Sequence, residues 1–197
     1  VSENKGDDEY KQLFSMILLG KVKSEPSWQE NGTAFVGSVT KLLERLLDYR
    51  NVLEGEENGD KRMTCTVNLL NFYKNEINRQ EMYIRYIYKL RDLHLQCDNH
   101  TEAGFTLLLH AELLEWTEQT LHGDVEHPRE QEWCRKERLY RQIIDHFDKG
   151  QTWEYGIPLC NELAVLYENK IEYAKLSHIL TTQATSYTKI LNELRPE

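Results

Sequence analysis

The chain has 197 residues, 40% of them hydrophobic, with 10 glycines, 4 prolines and a formal charge of −9. A chain of this length buries about 70% of its unfolded surface and folds without staples, and so few glycines and prolines suit an all-α protein better than an all-β one. The acidity argues against nucleic-acid backbones and anionic membranes as partners, and no apolar run approaches the ~20 residues that span a bilayer.

Val1 to Tyr10 is polar and acidic and does not read as a leader peptide. Asp7 or Asp8 can cap a short helix through Leu19, with Leu13, Phe14, Ile17 and Leu18 on one side and Gly20 as its stop. Ser24 to Gly32, with Pro26 and Asn31, reads as a loop. Residues 1–32 are therefore expected to be an extension with one short helix, and 33–197 the main lobe. Thr33 opens a helix to about Leu53, whose Phe35, Val39, Leu42, Leu46, Tyr49 and Leu53 form a seam for a neighbouring helix. Gly55 to Asp60 is an acidic turn without the alternating ligands of a calcium loop. Arg62 to Ile77 is helical, with Val67, Leu70 and Phe72 or Tyr73 inward, and Asn78 breaks it.

The segment Glu81 to Gln96 is apolar on two sides. Tyr83, Tyr86, Ile87, Leu90, Leu93 and Cys97 form one stripe, and Ile84, Tyr88 and Leu95 a second. The next helix repeats this, with Ala103, Leu107, Ala111 and Leu114 on one side and Phe105, Leu108, Leu109, Leu113 and Trp116 on another. A helix apolar on two sides needs two neighbours. In an array one layer thick, the second stripe is left for another lobe or subunit, so Ile84, Tyr88, Arg91 and Leu95, beside Asp92, are the candidate protein interface.

Thr117 to Pro128 reads as a loop. Arg129 to Lys149 is a helix with Trp133, Lys136, Tyr140, Ile143, Ile144 and Phe147 on one stripe, and Gly150 ends it. Arg135, Lys136, Arg138 and Arg141 alternate with Glu132 and Glu137, the spacing of a solvated face. The following helix starts near Thr152 and turns Trp153, Ile157, Cys160, Ala164 and Tyr167 inward, with Pro158 expected to bend it or shift its start. The last helix, Tyr173 to Leu194, is expected to bury Leu176, Leu180, Ala184, Tyr187, Leu191 and Leu194 and to expose Thr181, Thr182, Thr185, Ser186 and Thr188. Residues 101–107 echo 153–159 at an offset of 52. The fold class is all-α: about seven antiparallel helices in an irregular, tetratricopeptide-like array.

Catalytic and metal chemistry find little footing. His94, Cys97 and His100 sit close in sequence with His110 beyond, but zinc sites add a second ligand pair, Cys97 falls on a packed stripe and His100 at a turn. Cys65, Cys97, Cys134 and Cys160 lie in helical patterns and read as reduced thiols. Asn31-Gly32-Thr33 and Asn99-His100-Thr101 match the glycosylation pattern, yet Thr33 and Asn99 or Thr101 read better as helix N-caps. No glycine-rich phosphate loop or nucleophile elbow is present. No cofactor is expected.

The phrases TVNLLNFYK, EMYIRYIYKL, NHTEAGFTLLLHAELLEW, IIDHFDKGQTWEYGIPLCNELAVLYE and LNELRP, from about Leu43 to Pro196, resemble the first helical lobe of the catalytic homology region of DOCK (dedicator of cytokinesis) proteins. The resemblance implies a helical, non-catalytic scaffold and dimerisation lobe of a guanine-nucleotide exchange factor for Rho-family, Rac-type small GTPases. The second and third lobes, expected to begin near Arg195-Pro196-Glu197, would bind the GTPase and expel magnesium and nucleotide. Partners implied are the downstream lobes, a second copy, and the GTPase through those other lobes, in a cytoplasmic parent recruited to the plasma membrane. No catalytic residue transfers to this chain. The rival reading is a free-standing helical-repeat adaptor gripping a peptide in a polar groove. A lobe cut from its neighbour should instead carry a large apolar patch.

Overall fold

The computed structural model describes residues 6–54, 59–76, 78–123 and 126–192. These form eight α-helices, one more than the expected count, with one 3-10 turn and a two-residue ribbon. The chain divides into two compact units, Val1–Leu93 and His94–Glu197.

In the first unit, α1 spans Asp8–Ser24 and α2 spans Gln29–Glu54, joined by the 3-10 turn Pro26–Trp28. The Asp7 carboxylate accepts the Tyr10 amide at 2.9 Å, a side-chain N-cap. Gly20 does not stop α1, since a single glycine costs a helix only about 1 kcal/mol and tertiary contacts outweigh it. Thr33 is not a cap either: α2 begins earlier, at Gln29, and the Thr33 hydroxyl donates back to the Gln29 carbonyl. The α2 seam is rotated from its expected position. Val36 and Leu47 are buried, whereas Phe35 is 63% exposed. The acidic turn lies largely outside the described residues, as does Ile77.

Helix α3 spans Gly59–Asn75 and α4 spans Gln80–Gln96. Leu69, Leu70, Phe72 and Tyr73 are buried, while Val67 is exposed, contrary to expectation. An aromatic cluster ties α2, α3 and α4. Tyr73 and Tyr86 stack at 5.3 Å, Tyr49 meets Tyr86 edge-on at 5.9 Å, and the Lys89 ammonium lies 4.9 Å from the Tyr86 ring centre. Burial pushes the Tyr86 phenol well above its ordinary pKa and the Lys89 ammonium below its own.

The second unit holds α5 (His100–Ala111), a ribbon of β1 (Thr120–Leu121) and β2 (Glu130–Gln131), then α6 (Glu132–Lys149), α7 (Trp153–Asn169) and α8 (Tyr173–Asn192). Helices α5 to α8 pack in chain order, each on the next. The expected loop 117–128 contains the first strand of this antiparallel ribbon, in register Thr120 with Gln131 and Leu121 with Glu130. The start of α6 moves from 129 to Glu132 because residues 130–131 are spent on the ribbon. Asn99 holds the N-cap position of α5 without a side-chain bond, and Thr101 instead meets Thr152 at 3.1 Å. Pro158 sits inside an unbroken α7.

Three helices end on the same device. Asp98, Gln151 and Ile171 take positive φ of 58°, 56° and 59°. The next amide then returns to the carbonyl five residues back: Asn99 to His94, Thr152 to Phe147, Glu172 to Tyr167. This is the left-handed stop usually given to glycine. Gly150, one residue earlier, serves a different need. A side chain there would collide with Thr101 Oγ1 and meet its backbone nitrogen at 2.8 Å.

Candidate interaction surface

Helix α4 carries the four residues singled out by sequence. Tyr88 is only 3% exposed. Its ring lies beneath the Arg91 guanidinium, 4.7 Å from ring centre to Cζ, and Arg91 donates to Asp92 at 2.8 and 2.6 Å. Ile84, Arg91 and Leu95 are half-buried. The outer part of this stripe is therefore Ile84, Arg91 and Leu95, with Tyr88 as the layer below. The first stripe of α4 buries Tyr83, Tyr86, Ile87 and Leu90, but Cys97 is exposed in the turn that follows.

The charged run on α6 is not a free solvated face. Arg135 is 4% exposed. Its Nη2 donates to the His122 carbonyl at 3.1 Å and the Pro128 carbonyl at 2.9 Å, and its Nε to Glu130 at 3.1 Å. Arg138 also donates to Glu130. A buried guanidinium is tolerable only with its donors paired, and here the pairing fixes the ribbon to the helix. Lys136 donates to the Leu114 carbonyl at 2.8 Å and lies over the Trp116 ring at 4.9 Å.

Further along α6, Glu137 collects Lys175 at 3.2 Å and the Tyr167 hydroxyl at 2.7 Å, and Arg141 donates to the same hydroxyl oxygen at 3.1 and 3.0 Å. Burial, with Glu137 adding to it, raises the Tyr167 phenol to about 12. Glu162 accepts from both Trp116 Nε1 and the Tyr140 hydroxyl. These groups hold α6, α7 and α8 together and are already committed to one another. A group poised for proton transfer needs a pKa near the working pH, and the perturbed phenols are pushed away from it.

The outer face of α8 overturns the expected pattern. Ile179 and Ser186 are buried, while Leu180, Ala184, Tyr187 and Leu191 are exposed, Leu191 at 84%. Leu194 lies outside the described residues. Residues 173, 180, 184, 187 and 191 recur at helical spacing, and Tyr173 and Ile171 extend the exposed apolar face at its start. Single exposed apolar residues are ordinary, but a row of them marks an interaction surface. On the flank toward α6 lies a cleft of about 440 Å³, lined by Arg141, Asp145, Asp148, His178, Thr182 and Lys189 among others. Lys189 bridges to Asp148 at 2.6 Å, and the Thr182 hydroxyl donates to the His178 carbonyl.

The His/Cys segment gives no common centre. Among the described residues, no three His, Cys, Asp or Glu side chains converge as metal ligands. His100 Nε2 meets Asp98 at 3.1 Å, and burial lowers the His94 pKa against the opposing pull of Glu102. Sequence reasoning did not single out the α8 row as an outward surface, although its spacing was visible; nor did it find the Arg135 anchor, whose acceptors are backbone carbonyls.

A family model described as DHR-2, Lobe A matches residues 64–133 and 124–192. The chain is 52% identical over 206 residues to dedicator of cytokinesis protein 3 of Homo sapiens and, likewise, of Mus musculus. It is 49% identical over 197 residues to dedicator of cytokinesis protein 4 of Homo sapiens. All of this chain is covered in each case, against 10% of each relative, so it spans about a tenth of the length of the curated relatives it matches.

Proposed function

The chain belongs to the DHR-2 lobe A family of dedicator of cytokinesis proteins, and from that membership we propose that it is the non-catalytic scaffold lobe of a guanine-nucleotide exchange factor for Rho-family, Rac-type GTPases. The family match over residues 64–192 carries this reading. Residues 33–197 are the lobe and 1–32 its extension. The parent is cytoplasmic and recruited to the plasma membrane, and this piece contacts neither lipid interior nor nucleic acid. In support of the tetratricopeptide-like reading, an added Cβ at Gly104 on α5 or at Gly156 on α7, 52 positions apart, would lie within 4 Å of Phe147 of α6.

Two surfaces support a scaffold role. The exposed row on α8 is covered by the parent's following lobes, where burial of apolar area contributes about 25 cal/mol per Å². The outer stripe of α4, Ile84, Arg91 and Leu95 over Tyr88, makes a contact between copies. The adaptor reading has the α6/α8 cleft in its favour. Its Lys189 and Asp148 are bound to each other, however, and the Thr182 hydroxyl proton is spent on its own helix, so few free donors remain to read a peptide.

The test is nucleotide exchange on a Rac-type GTPase loaded with fluorescent GDP. Release in the presence of this chain should match buffer, while a longer parent segment containing the following lobes accelerates it. Acceleration by the 197-residue chain alone overturns the scaffold assignment, and no acceleration by the longer segment overturns the exchange-factor assignment.

A further inference from the structure

We propose that the cleft where α2 passes the bend between α3 and α4 is a docking site for a short acidic segment of a partner protein, anchored by a large apolar side chain. The cleft holds about 750 Å³, a size that encloses a bulky side chain with part of its backbone. Its apolar lining comes from Phe35, Val39 and Leu42 of α2 and from Met82 in the first turn of α4. Phe35 is 63% exposed, and the other three are half-buried. Phe35, Val39 and Leu42 open the seam that helical spacing marks for a neighbour. Further along, that seam finds one, since Tyr49 meets Tyr86 of α4. Its start lies instead beside the bend, because α3 ends at Asn75 and α4 begins only at Gln80. The apolar row is left open there.

Charge at the mouth specifies what the anchor should carry beside it. The groups that line the cleft or pair with its lining are Lys41, Arg45 and Arg79, against Glu76 and Glu81. This is a local excess of positive charge on a chain of formal charge −9. Arg79 is exposed, and its guanidinium has no ion pair or hydrogen bond among the described residues. Lys41 and Arg45 share the one carboxylate of Glu76 at 3.5 and 3.6 Å, long contacts that leave N–H groups available to a second acceptor. A carboxylate next to the apolar anchor completes this set, whereas an ammonium there would meet Arg79 unopposed.

The cleft beside α8 offers no such group, because Arg141 is bound to the Tyr167 hydroxyl and Lys189 to Asp148. The α2 cleft uses neither the α8 row nor Ile84, Arg91 and Leu95. It therefore adds a docking function to the scaffold role and does not depend on it.

The test is selection of phage-displayed random peptides of about ten residues on the immobilised 197-residue chain, followed by fluorescence anisotropy of the enriched peptides. The expected winners place Asp or Glu next to Phe, Leu or Trp and bind with dissociation constants on the order of 10–100 μM. Exchanging their acidic residues for lysine should weaken binding about tenfold or more. Non-specific attraction runs the other way, since an acidic chain favours the lysine peptide, so an acidic preference reports a local cationic site. Arg79→Glu and Phe35→Ser should each weaken the acidic peptide about tenfold. Both positions are exposed, and circular dichroism should show helicity unchanged. Enrichment of no peptide, or of basic ones, overturns the proposal. So do acidic peptides that bind Arg79→Glu or Phe35→Ser as tightly as wild type, since their site then lies elsewhere.

Discussion

Gly104→Ala should destabilise the second unit although alanine is the better helix former. An added Cβ at 104 would lie 2.8 Å from Cε1 and 3.0 Å from Cδ1 of Phe147, and 3.4 Å from Cβ of His146. Real side chains do not tolerate the first of these, so the ring or the α5–α6 spacing must give. The ring has little freedom: it meets Phe105 at 5.0 Å and Tyr155 at 5.8 Å, and it is almost wholly buried. Overpacking of this kind costs about 1–3 kcal/mol, and the helix-propensity gain returns about 1 kcal/mol. The 2.8 Å approach to a ring with so little freedom puts the clash in the upper part of that range, about 2–3 kcal/mol, so the net loss is about 1–2 kcal/mol. Gly37 on α2 has nothing within 4 Å of an added Cβ, so Gly37→Ala should instead stabilise its unit by about 0.5–1 kcal/mol. Urea titration followed by helicity and by tryptophan fluorescence measures both. Adding Phe147→Leu to Gly104→Ala should cost less than the sum of the single changes, by about 1 kcal/mol, because the clash partner is trimmed. A Gly104→Ala variant as stable as wild type, or strict additivity with Phe147→Leu, would refute the packing argument.

Arg135→Leu should cost about 2–4 kcal/mol, because it removes a donor from each of the His122 and Pro128 carbonyls and one of the two arginines that Glu130 pairs with among the described residues. Arg135→Lys should recover less than half of that, since an ammonium cannot match the spread of the guanidinium; thermal denaturation of both variants decides. Burial raises the Cys160 thiol to about 11, so the unfolded chain loses this proton first. That stabilising contribution is complete below about pH 9 and falls as pH rises toward 11, on the order of 1 kcal/mol per pH unit. Cys160→Ala should flatten the decline measured by urea titration over that range, and an unchanged slope would contradict the burial argument.

Helix existence was legible because apolar periodicity reports it directly. Tyr83, Tyr86, Ile87 and Leu90 on α4, and Ala103, Leu107, Ala111 and Leu114 after it, are buried as their spacing predicts. Facing was harder. On α2 the bulk of Phe35 drew the seam onto one row, yet the adjacent row with Val36 and Leu47 is the buried one. On α8 the most apolar row points away from α7. Periodicity says that a row should be covered, and not by what; here the described chain offers no cover. Arg135 was unreadable for another reason. Its acceptors are two main-chain carbonyls, which every residue carries, so an alternating charge pattern looked like an ordinary wet surface. On α4, Ile84, Arg91 and Leu95 are half-buried, and Tyr88 is buried beneath the Arg91 guanidinium.

The hydroxyls of α8 bear on how easily that helix can leave water. Those of Thr181, Thr182, Thr185, Ser186 and Thr188 each donate to the carbonyl four residues earlier. Their protons already have acceptors, so enclosing them strands no donor. What such threonines turn outward is largely methyl. The flank that composition marks as hydrophilic is thus close to hydrocarbon in behaviour, and a neighbour could envelop α8 well beyond its leucine row with a small dehydration penalty.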